Sequence, residues 1–387
     1  MKMNRIFHIG AWNRNIGDWT MGYNTHRLLE KHAEERGAHL SFNLIDSQRS
    51  EFHDALIQQI NEEASLLLIG GGGMIFNRPA DESASGWAFN ITEEKLRQIK
   101  VPMFVFAIGY NKFYFDKNKW PDYMGSHLRT LQDLSVYFST RDSGSKYQLV
   151  NEFNLNEENI DIVPDPGMRL FDRYIEIPKI SEVGDGPLIG INWAGDRPEE
   201  RFKDPWKKTR TYFIKELSES LNILINELDA RILFIPHLED LDVDFFNELK
   251  ENISSPNLFS LHELMRHFYP PAGEILYHHI PFFTNIYRQL DLTIGMRGHS
   301  CIFSFGAGTK FIPFGSHNKV RYFMDEIGAP DYSIKMIDPQ IENSDTIYES
   351  IKTCLNDKNF DDLIIKEQKS QFSRLDSVCL KMLDSMV

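Results

Sequence analysis

The fold of this chain is decided by one stretch, which reads Asp291-Leu-Thr-Ile-Gly-Met-Arg-Gly-His-Ser-Cys-Ile-Phe-Ser-Phe-Gly-Ala-Gly-Thr-Lys-Phe-Ile-Pro-Phe-Gly-Ser-His-Asn-Lys319. An apolar strand runs directly into Arg297 and His299 and then into a predicted helix. A second short strand near Lys310 to Phe314 is followed by a loop that carries Lys319. Because α/β proteins hold anions where strand ends face helix N-termini, the stretch predicts a cationic site for a small, highly charged ligand.

Short apolar runs alternate with helix-like stretches on both sides of this segment. Parallel strands covered by helices on both faces read as continuous apolar runs, so the alternation predicts an α/β protein with two Rossmann-like halves. The predicted strands lie near residues 5–10, 40–45, 66–70, 103–109, 136–140 and 160–163, and again near 188–192, 232–235, 258–261, 292–296 and 311–314.

The length of 387 residues exceeds what one hydrophobic core usually supports, so we expect two domains. The polar segment 172–187, rich in Pro and Gly, interrupts the alternation and predicts a linker. This gives an N-terminal Rossmann-like domain over residues 1–175 and a C-terminal one over residues 188–365. We expect the helical pattern of residues 366–387 to cross back to the N-terminal domain.

Charge and hydropathy exclude several classes of protein. The formal net charge of -14 argues against non-specific nucleic-acid binding and against adsorption on an anionic membrane. We find no run of ~18 apolar residues typical of a membrane span, and no secretory signal at the N-terminus. The three cysteines lack metal-site spacing. We therefore expect a cytoplasmic protein with free thiols, no bound metal and at most peripheral membrane contact.

Two loops of the first half are candidates for ligand contacts. Asn15, Gly17 and Asp18 precede the first helix, where Gly17 permits a close backbone approach and Asp18 is a good helix cap. Gly71 and Gly72 belong to a predicted glycine loop over residues 70–76 that lacks the Lys-Ser/Thr of a P-loop, so we interpret it as a bare surface for a bulky acceptor. The alternatives are a capped helix start and a simple turn.

Two further candidates follow later strands of the first half. Arg141 lies near the carboxyl edge of the predicted sheet, and Asp165 lies in a rigid turn between two prolines. A carboxylate there could transfer protons or bind a sugar hydroxyl. The alternatives are a structural ion pair for Arg141 and a turn-forming role for Asp165.

In the second half, Arg297 carries the strongest signal. Its planar fork suits a carboxylate or phosphate, and an unpaired charge after an apolar strand would be costly. The alternative is an ion pair with an Asp residue. His237 also follows a strand. The carboxylates at residues 239–244 lack the features of a calcium loop, so we interpret them as a solvated acidic cap.

Seven short motifs occur in an order that resembles the polysaccharide pyruvyltransferase family. They are Asn15-Ile-Gly-Asp18, Gly70-Gly-Gly-Gly73, Ser139-Thr-Arg-Asp142, Pro164-Asp-Pro166, Ile235-Pro-His237, Gly295-Met-Arg-Gly-His299 and the stretch 314–328 with Lys319. The resemblance implies a GT-B-like fold with the active site in the interdomain cleft. It implies transfer of pyruvate from phosphoenolpyruvate onto two hydroxyls of a sugar, in a cell-surface polysaccharide or its precursor.

The resemblance also assigns roles, with two departures. It implies that Arg297 and His299 bind phosphoenolpyruvate, that His299 is the acid, and that Lys319 matches the later Lys of the family. Gly298 stands where the family usually has Leu, and Asn192 stands near a strand end where many members carry an Arg. If a second Arg is needed for the donor, Arg197 must reach in from the following loop or Asn192 has a weaker role.

These expectations combine into one catalytic hypothesis. The C-terminal domain holds phosphoenolpyruvate as co-substrate, without a metal or other cofactor, and Asp18 or Asp165 is the base. The N-terminal domain contacts a saccharide acceptor, lipid-linked or not, through Asn15, Gly17, Gly71, Gly72 and Arg141, and His237 of the C-terminal domain also contacts it. The basic and aromatic segment 197–210 is interpreted as a mobile flap, an acceptor contact or a solvated loop. The competing hypotheses are a GT-B glycosyltransferase that uses a nucleotide sugar and a non-catalytic glycan-binding member.

Overall fold

The computed structural model describes residues 4–12, 15–79, 81–171, 185–264, 279–336 and 342–386. Within these ranges the chain forms two parallel β-sheets, one in each domain. Most of the predicted linker, residues 172–184, lies outside the described residues. Among the described helices, none combines the length and the apolar character needed to cross a membrane.

The first sheet has six strands. In chain order they are β1 (Asn4–Gly10), β2 (Leu40–Asp46), β3 (Leu66–Ile75), β4 (Met103–Tyr110), β5 (Ser135–Thr140) and β6 (Asp161–Ile162). The helices between them are α1 (Ile16–Glu35), α2 (Asp54–Glu63), α3 (Glu93–Leu96), α4 (Met124–Leu134) and α5 (Ser143–Phe153). The order across the sheet is β2-β1-β3-β4-β5-β6, so the direction of winding reverses between β1 and β3. Ligand sites in open α/β sheets form at such reversal points.

The second sheet has five strands and the same design. They are β7 (Leu188–Asn192), β8 (Arg231–Phe234), β9 (Leu258–Ser260), β10 (Leu292–Gly295) and β11 (Lys310–Pro313). The helices are α6 (Pro198–Arg201), α7 (Trp206–Leu228), α8 (Glu239–Asn252), α9 (Leu261–Leu264), α10 (His279–Ile286), α11 (Gly298–Ala307), α12 (Asn318–Glu326), α13 (Ser344–Asn356) and α14 (Lys358–Asp384). The order β11-β10-β7-β8-β9 reverses between β7 and β10, directly before Arg297.

The predicted glycine loop over residues 70–76 is wrong. Strand β3 continues through it to Ile75, and Gly72 and Ile75 pair with β4 around an irregularity in the register. Gly70, Gly71 and Gly72 have φ angles of 140°, 84° and 91°, which favour glycine. The glycine run therefore bends a strand that remains in the sheet.

The two domains contact each other along α14 and around α11. Helix α14 starts beside β11 of the second domain and then lies against α1 of the first. His32 is 3.0 Å from Asp376, and Arg36 is 2.7 Å from Asp384. Helix α11 packs against the turn that follows β6. These contacts bring the carboxyl ends of both sheets towards each other.

Candidate active site

A cavity of about 220 Å³ lies between the two domains. Most of the segments that line it follow strands of both sheets, as expected for α/β proteins, and Gly73 and Met74 belong to the end of β3 itself. The first domain contributes Ala11, Asn15, Asp18, Gln48, Gly73, Met74, Phe76, Asn111, Phe113 and Arg141. The second domain contributes Asp196, Arg197, Arg201, Leu238, Arg297, Gly298, His299 and Lys319.

Arg297 lines this cavity and is also held by two carboxylates. Its Nε donates to Asp242 Oδ2 at 3.0 Å, and its Nη2 donates to Asp242 Oδ1 at 2.6 Å. The same Nη2 is 2.7 Å from Asp196 Oδ1. These contacts use Nε and Nη2 and leave Nη1. Arg297 therefore lines the cavity, as predicted, and also forms the ion pair that was the alternative prediction.

The electrostatics of this group keep Arg297 charged. Burial alone would lower the pKa of its guanidinium, but Asp242 and Asp196 raise that pKa above its ordinary value. Asp242 is fully buried and also accepts hydrogen bonds from the backbone N–H groups of Gly195 and His237, each at 3.0 Å. The interpretation of residues 239–244 as a solvated acidic cap is therefore wrong at Asp242.

His299 is the second residue of α11 and lies against the N-terminus of α1. A Cβ atom at Gly17 would be 2.1 Å from His299 Nδ1, so the missing side chain makes room for the imidazole. His299 Nε2 is buried, without a hydrogen-bond partner in the described part of the chain, and 3.7 Å from Asp165 Oδ2. That separation suits an ion pair but exceeds a hydrogen bond. The ring also stacks on Phe303.

Asp165 and Arg141 form a buried pair behind this imidazole. Arg141 Nη1 donates to Asp165 Oδ2 at 3.2 Å, and the backbone N–H of Gly167 donates to Asp165 Oδ1 at 2.9 Å. Burial alone would raise the pKa of Asp165, but His299 and Arg141 bring it below its ordinary value. Asp165 therefore stays ionised, which suits support of a protonated His299, and its lowered pKa makes it a weaker base.

Lys319 reaches the cavity from the first turn of α12. His317 Nδ1 caps this helix by accepting from the Lys319 backbone N–H at 3.0 Å, and Lys319 Nζ donates to Asn111 Oδ1 at 3.3 Å. Burial, followed by the charges of Arg201 and Arg141, lowers the pKa of Lys319 to about 7. An anion beside it would favour its protonated form.

Of three other predicted site residues, Asn192 and His237 are buried and contact other protein groups, and Arg197 is partly exposed. Asn192 is fully buried, donates to the Ile235 carbonyl at 2.8 Å and accepts from the Arg297 backbone N–H at 3.0 Å. His237 is buried, and its Nε2 lies 2.6 Å from the Tyr287 hydroxyl. Burial, with the charges of Arg297 and His299, lowers the pKa of His237 well below its ordinary value. Arg197 lines the cavity but its side chain is 44% exposed.

The predicted site residues at the start of α1 and those in the glycine run of β3 lie in different surroundings. Asn15 and Asp18 line the cavity, and Asn15 caps α1 by accepting from the Gly17 backbone N–H at 2.9 Å. Gly71 and Gly72 instead face α1, since a Cβ at either position would meet Met21. The absence of side chains at these glycines therefore allows α1 to pack closely against β3.

Sequence reasoning missed several residues that shape the site. The interpretation of segment 197–210 as a solvated loop is wrong at Arg201, the last residue of α6, and at Phe202, because both side chains are buried. The face of α8 that carries Asp242, Phe245, Phe246 and Leu249 has helical spacing, and this signal could have marked Asp242 as buried. Phe113 and Asn111 follow a strand but carry no motif.

The sequence model of a family described as "Polysaccharide pyruvyl transferase" matches residues 12–318. The chain belongs to the polysaccharide pyruvyl transferase family. It is accordingly a transferase, and the matched range includes Arg297 and His299 and ends one residue before Lys319. A comparison with curated proteins found no match.

Solved structures similar to this polysaccharide pyruvyl transferase confirm the predicted GT-B-like fold. A putative UDP-N-acetylglucosamine 2-epimerase from Listeria monocytogenes has a TM-score of 0.57 at 10% identity, covering 94% of this chain and 91% of that one. The UDP-GlcNAc 2-epimerase from Neisseria meningitidis bound to UDP-GlcNAc has a TM-score of 0.57 at 10% identity over 99% of both chains. A glycosyltransferase from Rickettsia africae has a TM-score of 0.55 at 11% identity, covering 97% and 94%.

Proposed function

We propose that this protein transfers pyruvate from phosphoenolpyruvate onto two hydroxyls of a sugar, as a ketal, in a cell-surface polysaccharide or its precursor. The observation that carries the proposal is the charge of the cavity. In the described part of the chain, five Arg and Lys side chains and two Asp side chains line it, and His299 stands among them. Such a cavity suits a small ligand with several negative charges.

Phosphoenolpyruvate has a phosphate and a carboxylate on one enol carbon, so it needs two cationic contacts and one proton donor. Arg297 has a fixed guanidinium whose Nη1 is not used by Asp242 or Asp196. Lys319 adds a second positive charge, because a bound anion would favour its protonated form. We assign these two residues to the donor, with Arg197 at the exposed rim and Asn192 supporting Arg297 from behind.

His299 is the proposed acid of the first step. Its Nε2, which has no hydrogen-bond partner among the described residues, delivers a proton to the methylene carbon of the donor, which leaves an oxocarbenium-like centre at the carbon that bears the phosphate. The ionised Asp165, 3.7 Å away, stabilises the imidazolium before that transfer. Asp165 is thus a positioning and charge-stabilising residue in this scheme.

The sugar enters from the side of the first domain. One hydroxyl attacks the oxocarbenium-like centre and loses its proton, phosphate leaves, and a neighbouring hydroxyl closes the ketal with loss of a second proton. Asp18 lines the cavity and is the proposed base, with Asn15 and Arg141 beside the acceptor. We expect this reaction in the cytoplasm, with at most peripheral contact to a membrane that carries the acceptor.

The test is release of phosphate from phosphoenolpyruvate by the purified protein with a panel of nitrophenyl hexosides. We expect a product whose mass equals the acceptor plus one pyruvate ketal. His299→Gln should lower kcat by about 10²–10⁴-fold while the thermal shift caused by phosphoenolpyruvate remains. Arg297→Lys should weaken that thermal shift, and an unchanged shift would contradict the role of Arg297.

A nucleotide-sugar reaction is the competing outcome of the same experiment. The similar epimerase from Neisseria meningitidis binds UDP-GlcNAc. A thermal shift with UDP-GlcNAc, together with none from phosphoenolpyruvate and no phosphate release, would contradict pyruvyl transfer and favour nucleotide-sugar chemistry.

A further inference from the structure

Arg201 is a buried arginine that no motif identifies. It is the last residue of α6 and only 2% exposed, yet it lines the cavity. Its Nε donates to the Asp196 carbonyl at 2.9 Å, and its Nη2 donates to Asp196 Oδ2 at 3.1 Å. Its Nη1 is buried and has no hydrogen-bond partner among the described residues. An unsatisfied N–H on a buried charged group is costly, so we expect Nη1 to donate a hydrogen bond to a bound ligand.

The charges around Arg201 indicate the chemical nature of the ligand that Nη1 would bind. Asp196 is shared between Arg201 and Arg297, so one carboxylate serves two guanidinium groups. Lys319 lies close to them, and Arg201 is the charge that most strongly lowers its pKa, ahead of Arg141 and Arg297. The two positive charges also lie beside the same ring, since the Arg201 guanidinium carbon is 4.7 Å and Lys319 Nζ is 6.0 Å from the centre of Phe113. Positive charge is therefore concentrated in this part of the cavity. A dianion compensates such a concentration better than a single carboxylate does.

One face of Arg201 is covered by the first domain. The guanidinium carbon lies 4.7 Å from the centre of the Phe113 ring, and Phe113 also forms a backbone bridge to His317 of the second domain. This cover removes water from the guanidinium and restricts its movement. Because a fixed arginine needs little reorganisation to bind an anion, the arrangement suits specific recognition of the ligand.

We propose that Arg201 is a donor-binding residue whose Nη1 takes the phosphate group of the donor together with Lys319. The inference rests on the proposed function and deepens it, since it assigns the phosphate and the carboxylate of the donor to different cationic contacts. Arg201 and Lys319 hold the phosphate, and Arg297 Nη1 is left for the carboxylate. A purely structural role is already fulfilled by Nε and Nη2, which anchor the Asp196 loop without Nη1.

The experiment compares Arg201→Met and Arg201→Lys with a matched control, Arg210→Met. Arg210 belongs to the neighbouring α7 and pairs with Glu248, away from the cavity lining. Steady-state kinetics give the KM for phosphoenolpyruvate, and inhibition by inorganic phosphate and by pyruvate reports the two halves of the donor separately.

We expect Arg201→Met to raise the KM for phosphoenolpyruvate and the inhibition constant for phosphate at least tenfold, as for loss of one charge-assisted hydrogen bond. Inhibition by pyruvate should change less than twofold, and Arg201→Lys should recover part of the phosphate affinity. The control should match the wild type. A uniform weakening of phosphate and pyruvate inhibition would indicate a structural role and overturn the assignment.

Two results separate this inference from the proposed function. A wild type without phosphate release and without a thermal shift from phosphoenolpyruvate or phosphate would overturn both. An active wild type whose Arg201→Met and Arg201→Lys variants keep the wild-type KM and phosphate inhibition would overturn the role of Arg201 alone. Should Arg201→Met fail to fold, Arg201→Lys decides, because it keeps one charge and loses the fork.

Discussion

Substitution of Gly17 by Ala is the sharpest perturbation of the proposed acid. A Cβ at this position would lie 2.1 Å from Nδ1, 2.5 Å from Cγ and 2.8 Å from Cβ of His299. Ordinary contact begins at 3.4 Å, so the ring must retreat by about 1.3 Å. Rotation of the imidazole alone does not relieve the clash, because the His299 Cβ is also too close. Either the ring moves or the two domains separate.

The expected loss of activity follows from this displacement. A misplacement of about 1 Å costs an enzyme roughly 100-fold in rate, so kcat for phosphate release should fall by about that factor. Stability should change little, since alanine favours a helix by ~1 kcal/mol over glycine and a strained contact costs ~1–3 kcal/mol. Thermal unfolding should therefore show a folded variant with a modest shift of its Tm.

The matched control is Gly125→Ala. Gly125 is the second residue of α4, as Gly17 is of α1. An added Cβ would lie 3.2 Å from the flexible end of Arg129 and in ordinary contact with Phe153, at 3.7 Å or more. We expect wild-type kcat for this variant. The argument that the position of His299 controls the reaction would be refuted by a folded Gly17→Ala variant that keeps kcat within threefold of the wild type.

Two further predictions follow from the charges. Asp242→Ala removes the buried partner of Arg297 and should lower the free energy of unfolding by about 3–5 kcal/mol in urea denaturation, whereas the exposed control Asp244→Ala should change it by less than ~0.5 kcal/mol. The pKa of Lys319, lowered by burial and nearby arginines to about 7, means that its charge is present below that pH and lost above it. The KM for phosphoenolpyruvate should thus rise up to about tenfold per pH unit above pH 7, and Lys319→Met should remove this slope; a slope that persists in the variant would contradict the assignment.

Much of the fold was predictable because parallel strands are buried on both faces. Their apolar runs stand out in the sequence, and each predicted strand is present within a residue or two apart from the extension of β3. That extension was missed because glycine allows both a loop and a bent strand, and only the pairing of Gly72 and Ile75 with β4 distinguishes them. Apolar patterning does not carry that information.

The site was predictable as far as topology determines it. Arg297, His299 and Lys319 follow neighbouring strands of one sheet, so their convergence is expected from the carboxyl edge alone. The partners of these groups were not predictable, because Asp242 is 55 positions from Arg297 and meets it only through the packing of α8. The same holds for Gly17, whose missing side chain matters only once the domains meet.

Helix α14 links the two domains a second time, in addition to the chain between β6 and β7. Its start lies beside β11 and its later turns are tied to α1 through Asp376 and Asp384. Because α14 contacts both domains, we expect it to restrict their relative motion, as at a hinge. Opening of the cavity should therefore be smallest beside α14, and a crosslink between α14 and α1 should leave that opening intact.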